Sequence, residues 1–155
     1  MTTKSSANQD AIAMLTAEHR EVKQMFEQFE QMTDRAKVSK KKLADQICEA
    51  LILHTAIEEE IFYPAVREAV DEAEDKLDEA LVEHASAKDL IAQIQEMDPG
   101  DELYDAKVKV LSEQVEHHVE EEEKEMFPMA KKGGLDLAAL GEEMAQRKQE
   151  LKTTR

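Results

Sequence analysis

The chain has 155 residues, which suits one domain and is too short for a large two-domain enzyme. Hydrophobic residues make up 41%, enough for one core, while only 4 glycines and 3 prolines leave few turns, so helices are favoured over sandwiches and Rossmann-type folds. With 36 acidic residues against 20 basic ones the formal net charge is −16, which argues against nucleic acid and anionic membrane as partners. A single cysteine, Cys48, rules out an intrachain disulfide and a cysteine-based zinc site. The longest apolar run, Ala50-Leu51-Ile52-Leu53, is too short to span a bilayer. The opening MTTKSSANQD lacks the apolar stretch of a secretory signal, so cytoplasm is the expected compartment.

In chain order, residues 1–9 are polar and read as a flexible N-terminus. Asp10 is a plausible N-cap for a first helix whose stripe is Ile12, Leu15, Val22, Met25, Phe26 and Phe29. A second stripe runs Leu43, Ile47, Leu51, Ile57, Ile61, and Pro64 is expected to kink or end that helix. A third, over about 72–97, carries Leu77, Leu81, Ala87, Ile91 and Ile94, and Asp98-Pro99-Gly100 marks a turn. The fourth stripe is Tyr104, Val108, Leu111, Val115, Val119, Met126, stopped by Gly133-Gly134. A shorter helix is expected over about 135–152. Short connections make neighbours antiparallel. The expected fold is therefore all-α: an up-down-up-down four-helix bundle over 10–132, then a C-terminal helix and tail over 133–155.

Residues 54–64, HTAIEEEIFYP, echo residues 118–128, HVEEEEKEMFP. Each has a His, glutamates that include the residue four later, a Phe, and Pro at +10. The five histidines are not scattered. His19, His54, His84 and His118 lie one per helix, each with apolar neighbours at three, four or seven residues, so each faces the core. His117 has charged neighbours and faces outward. Glu58 and Glu122 lie four residues after His54 and His118, on the same inward faces. Counted from the helix ends, the four histidines agree in depth to about one turn, looser for the fourth helix. Two buried carboxylates are costly unless paired or metal-bound, and no Lys or Arg lies on the inward stripes at this level. Imidazole and carboxylate without thiolate suit iron, manganese or zinc. Six side chains exceed what one tetrahedral zinc needs, while two ions sharing bridging carboxylates use them all. The Glu-x-x-His pairs of ferritin-type centres are absent.

The remaining polar residues have plainer readings. Glu18, Glu59, Glu60, Glu83, Glu121 and Glu123 read as solvated charges, although any of them can hydrogen-bond a ligand imidazole. Phe26, Phe29, Phe62 and Phe127 read as core that also walls off the site. Cys48 reads as a small buried hydrophobe, and Tyr63 and Tyr104 as structural, with a redox role as the alternative.

His19 in LTAEHREV, His84 in ALVEHAS and the two H-x3-E repeats resemble the hemerythrin-like cation-binding (HHE) family over about residues 10–131. The resemblance implies a non-haem di-iron centre with an oxo or hydroxo bridge. Glu58 and Glu122 would bridge, His19 and His54 would serve one iron, and His84 and His118 the other. Oxygen-carrying members place a histidine pair four apart on the third helix. Here the residues four either side of His84 are Ala80 and Lys88, so one coordination position is left to water, to a further glutamate or to substrate. The resemblance implies a small ligand such as O2, H2O2 or NO, with catalase-like peroxide reactivity, reversible sensing or iron handling as alternatives. It names no protein partner.

Overall fold

The computed structural model describes residues 9–154. All but the last residue of the expected flexible N-terminus lie outside that range. The side chain of Asp10 caps α1 (Ala11–Glu30) by accepting from the Ala13 N–H at 2.8 Å. The second rod is α2 (Lys37–Ile57), a π-turn (Glu58–Phe62) and α3 (Tyr63–Ala69). The third is α4 (Glu74–Glu96), entered through a 3-10 turn over Asp71–Ala73. The fourth is α5 (Tyr104–Glu121), a π-turn (Glu122–Met126) and α6 (Phe127–Lys132). α7 (Leu137–Thr154) follows. No strand occurs among the described residues.

One of the two outcomes expected at Pro64 is corrected. Pro64 does not end its helix, because the rod runs on to Ala69. Proline has no N–H for the carbonyl four residues back, and its ring crowds that carbonyl. The widened turn absorbs both problems: the Tyr63 N–H donates to the Glu58 carbonyl, an i→i+5 bond. Pro128 has the same effect in the fourth rod, where the Phe127 N–H donates to the Glu122 carbonyl. The expected C-terminal helix is present over Leu137–Thr154, shorter than the four rods, and lies along α1 and α2. Gly134, at φ +77, supplies the left-handed residue that turns the chain out of the fourth rod. Gly141 lets α7 approach the start of α1; a Cβ there would lie 2.6 Å from the Gln9 carbonyl oxygen.

The interior is split in two. One apolar cluster includes Leu15, Ile57, Phe62, Val66, Leu77 and Phe127. The other includes Phe26, Ile47, Leu51, Ile91, Tyr104 and Leu111. The histidine layer lies between them, which makes it a polar plane in an otherwise apolar bundle.

Candidate metal centre

The four core-facing histidines and the two inward glutamates meet at one level. Glu58 and Glu122 are 0% and 1% exposed. Glu58 spans two histidines: Oε2 lies 3.3 Å from His54 Nε2 and Oε1 lies 3.0 Å from His84 Nε2. Glu122 does the same, with Oε1 3.1 Å from His19 Nε2 and Oε2 3.2 Å from His118 Nε2. Ligand atoms therefore gather into two groups, His19–His54–Glu58–Glu122 and His84–His118–Glu58–Glu122, with both carboxylates common to the two. Each group pairs its imidazoles alike, with ring centroids 4.9 Å apart and planes 58° apart.

The outer nitrogens of the same rings make a closed circuit. Glu18 of α1 meets His54 Nδ1 at 2.6 Å, and Glu59 of the second rod meets His84 Nδ1 at 2.7 Å. Glu83 of α4 meets His118 Nδ1 at 2.5 Å, and Glu123 of the fourth rod meets His19 Nδ1 at 2.8 Å. Each helix thus fixes the imidazole of the next around the bundle. A carboxylate accepting from Nδ1–H fixes the tautomer and leaves the Nε2 lone pair pointing inward. The expectation that these four glutamates are merely solvated is corrected, most plainly for Glu18, which is buried. Its second oxygen accepts from Lys148 Nζ at 2.7 Å, so α7 is tied to the centre, and Lys88 Nζ similarly holds Glu59 at 2.8 Å. The sequence carried a signal: these glutamates directly precede His19 and His84 or directly follow Glu58 and Glu122. Glu60 and Glu121 stay outside, with Arg147 and with the exposed His117 as expected.

The sequence reading did not place Tyr63 in the centre. Its hydroxyl lies 3.1 Å from Glu58 Oε1, 3.3 Å from His84 Nε2 and 3.2 Å from His118 Nε2, and it also hydrogen-bonds Glu122 Oε2. Its ring stacks on His84. In a regular α-helix a residue five after Glu58 points about 140° away from it. The π-turn brings it back onto the same face. The matching position in the other repeat is Phe127, which stacks on His19.

The electrostatics follow from this crowding. Burial alone would lower the His54 pKa, but the Glu58 charge and bonds to Glu18 and Glu58 raise it well above its ordinary value. His118 is pushed up to about 10 against the same burial penalty, by Glu122 and then Glu58 and Glu83. Burial opposes ionisation of Glu58, yet His54 and its other hydrogen bonds hold its carboxyl well below the carboxylate range. Burial and the charges of Glu58 and Glu122 push the Tyr63 phenol well up.

The donor set passes a simple test for a cation. Apart from their close approaches to one another, His19 Nε2 to Glu122 Oε1 at 3.1 Å and His54 Nε2 to Glu58 Oε2 at 3.3 Å, these four buried atoms have no hydrogen-bond partner among the described residues. Those four atoms are one complete group of two imidazoles and two carboxylate oxygens. Buried polar atoms rarely go unsatisfied, and a bound cation would satisfy all four at once.

The model of the hemerythrin HHE cation binding domain matches residues 10–130. The chain belongs to the hemerythrin HHE cation-binding family. The crystal structure of a hemerythrin HHE cation binding domain-containing protein from Mycobacterium kansasii has the same fold, with a TM-score of 0.80 at 22% identity over 94% of this chain and 88% of that one. A DNA nickase of Nostoc sp. is 31% identical over 119 residues, which is 77% of this chain but 32% of that protein. The chain therefore spans about a third of that relative's length. No helix among the described residues is long and apolar enough to cross a membrane. Among the described residues of this hemerythrin HHE domain, the groups able to hold a metal are the two clusters sharing Glu58 and Glu122 and a partly exposed third, Glu83–His117–Glu121.

Proposed function

We propose that this hemerythrin HHE domain holds two iron ions, one in each cluster, and reacts with dioxygen or a related small oxidant. The observation that supports it best is the set of four buried donors in one cluster with no partner but one another, repeated in composition by the other across shared carboxylates. His19 and His54 hold one ion, His84 and His118 the other, and Glu58 and Glu122 bridge. Bound iron supplies redox chemistry toward dioxygen, hydrogen peroxide or nitric oxide.

The protein's part is to present and orient. The ring of Glu18, Glu59, Glu83 and Glu123 keeps each Nε2 aimed inward. Tyr63 places a hydroxyl at the centre of the second cluster, and the third helix adds no second histidine there, since Ala80 and Lys88 lie four residues either side of His84. Phe62 and Phe127, both buried, keep bulk water from the far side. We favour peroxide or oxygen turnover in the cytoplasm; reversible sensing and iron handling use the same side chains. The nicking activity named for the Nostoc relative is not carried over, since a net charge of −16 repels a phosphate backbone.

The test is metal analysis of the purified protein, with optical spectra before and after anaerobic reduction and on return to air or peroxide. Two irons per chain and a redox-dependent near-ultraviolet band are expected. Many turnovers of peroxide per centre would mark an enzyme; one would mark a binder. Zinc, or no metal, would sink the redox reading.

A further inference from the structure

Outside the buried centre one further group of ligating atoms comes together. His117 and Glu121 lie one turn apart on the outer face of α5, and Glu83 meets them from α4. His117 Nε2 is 3.5 Å from Glu121 Oε2 and 4.0 Å from Glu83 Oε2. Two ligands held at ~2.1 Å around a tetrahedral ion lie about 3.4 Å apart. The first pair already has that spacing, and the second needs a small closing movement. The His117 side chain, 65% exposed, has room to make it.

The local charge also asks for a cation. Among the described residues no Lys or Arg lies within ion-pair distance of Glu83 or Glu121, because Lys76 bonds Glu125 and Lys124 bonds Glu120. Two carboxylates thus meet one imidazole without a fixed positive charge beside them, on a chain of net charge −16. An imidazole among carboxylates suits a transition-metal ion, whereas magnesium and calcium take oxygen ligands. Glu83 ties this group to the interior. Its other oxygen, Oε1, meets His118 Nδ1 at 2.5 Å. One carboxylate therefore spans the outer imidazole and an imidazole of the buried centre.

We propose that Glu83, His117 and Glu121 form an outer site for one divalent transition-metal ion of the zinc class, with water completing its coordination. Its occupancy is felt inside, because an ion on Glu83 Oε2 draws charge from the carboxylate that orients His118. That link rests on the dimetal reading; the outer site does not.

The experiment is equilibrium dialysis of the purified full chain against zinc in a large excess of magnesium, with zinc and iron counted on the same samples. Wild type is expected to hold one zinc per chain more than His117→Ala. Loss of a partner that merely supports a ligand typically costs ~10–100-fold in metal affinity, so loss of the ligand His117 should weaken the outer zinc at least about tenfold, and Glu121→Gln by a similar factor. Equal zinc in wild type and His117→Ala would overturn the proposal, as would displacement of the zinc by magnesium. The readout is a difference between two variants and does not depend on what the buried centre carries. A zinc difference without iron would sink the di-iron reading and support the outer site; equal zinc with two irons would do the reverse. In iron-loaded protein, zinc should also shift the near-ultraviolet band of wild type and leave that of His117→Ala unchanged. No shift in wild type would overturn the link through Glu83.

Discussion

In one half of the centre His19 stacks on Phe127; in the other His84 stacks on Tyr63. The repeats that build the halves match in their histidine, shared glutamate, π-turn and proline, and the imidazole pairs have the same spacing and tilt. A single hydroxyl separates them. It changes what surrounds the donors: on the Phe127 side His19 Nε2, His54 Nε2, Glu58 Oε2 and Glu122 Oε1 have no hydrogen-bond partner among the described residues apart from one another, whereas on the Tyr63 side all four equivalent atoms lie beside the phenol oxygen. A pseudo-symmetric frame has thus been given two chemically different positions. One is a bare four-donor site. The other carries its own fifth oxygen.

The comparison can be broken outright at what the halves share. Glu58→Ala or Glu122→Ala removes a donor from both clusters, so metal content is expected to fall from two per chain to near zero. His54→Ala or His118→Ala touches one cluster only and should leave about one. Retention of both ions in the Glu58→Ala, Glu122→Ala double variant would refute the shared-carboxylate model. The hydroxyl itself is tested by Tyr63→Phe, which makes the halves alike. Azide binding to the loaded protein is expected to tighten about tenfold as the second position opens, and Phe127→Tyr should weaken it by a similar factor; unchanged affinity in both would show that the phenol is a bystander.

Smaller effects probe the outer ring. Glu18→Gln and Lys148→Ala loosen His54, and Glu59→Gln and Lys88→Ala loosen His84. Loss of such supporting hydrogen bonds typically costs ~10–100-fold in metal affinity, the lysine variants falling at the low end because they act through the glutamate. Competition with a chromophoric chelator would measure it. If Lys148→Ala had no effect, α7 would be packing alone. The smallest expected effect is on pH. A His pKa raised from 6.5 to about 10, as for His118, contributes stability that is fully present below pH 6.5 and lost as pH rises through 10. Metal-stripped protein should therefore melt at falling temperature from pH 7 to 10. Loaded protein, whose imidazoles are deprotonated by the metal, should not follow that fall over the same interval. Parallel melting curves would contradict the assignment.

Much of the site was legible because helical periodicity is regular. His19, His54, His84 and His118 declared themselves by the apolar residues one turn away, and Glu58 and Glu122 by their place four residues on. Where the period changes, the reading failed. Counting 3.6 residues per turn sends Tyr63 away from Glu58, and the π-turns at Pro64 and Pro128 return Tyr63 and Phe127 to the inward face. Prolines were visible in the sequence, but whether a proline ends, kinks or widens a helix depends on what the following residues can pack against. Here Val66 and Ala130 bury completely and keep both rods going.

The outer glutamates failed for another reason. Glu18, Glu59, Glu83 and Glu123 sit off the core stripes, and their adjacency to His19, Glu58, His84 and Glu122 does not say which helix they meet. Their partners are on neighbouring helices, 25 to 104 residues away in the chain. The sequence by itself determined the helices, the inward histidines and the two inward carboxylates, and the acidic surface, because all of these follow from composition and from contacts within one turn. Only the tertiary structure decided the Glu–His circuit and the phenol in one cluster. Both depend on the rotation and spacing of one helix against another, which side-chain packing fixes and no single helix encodes.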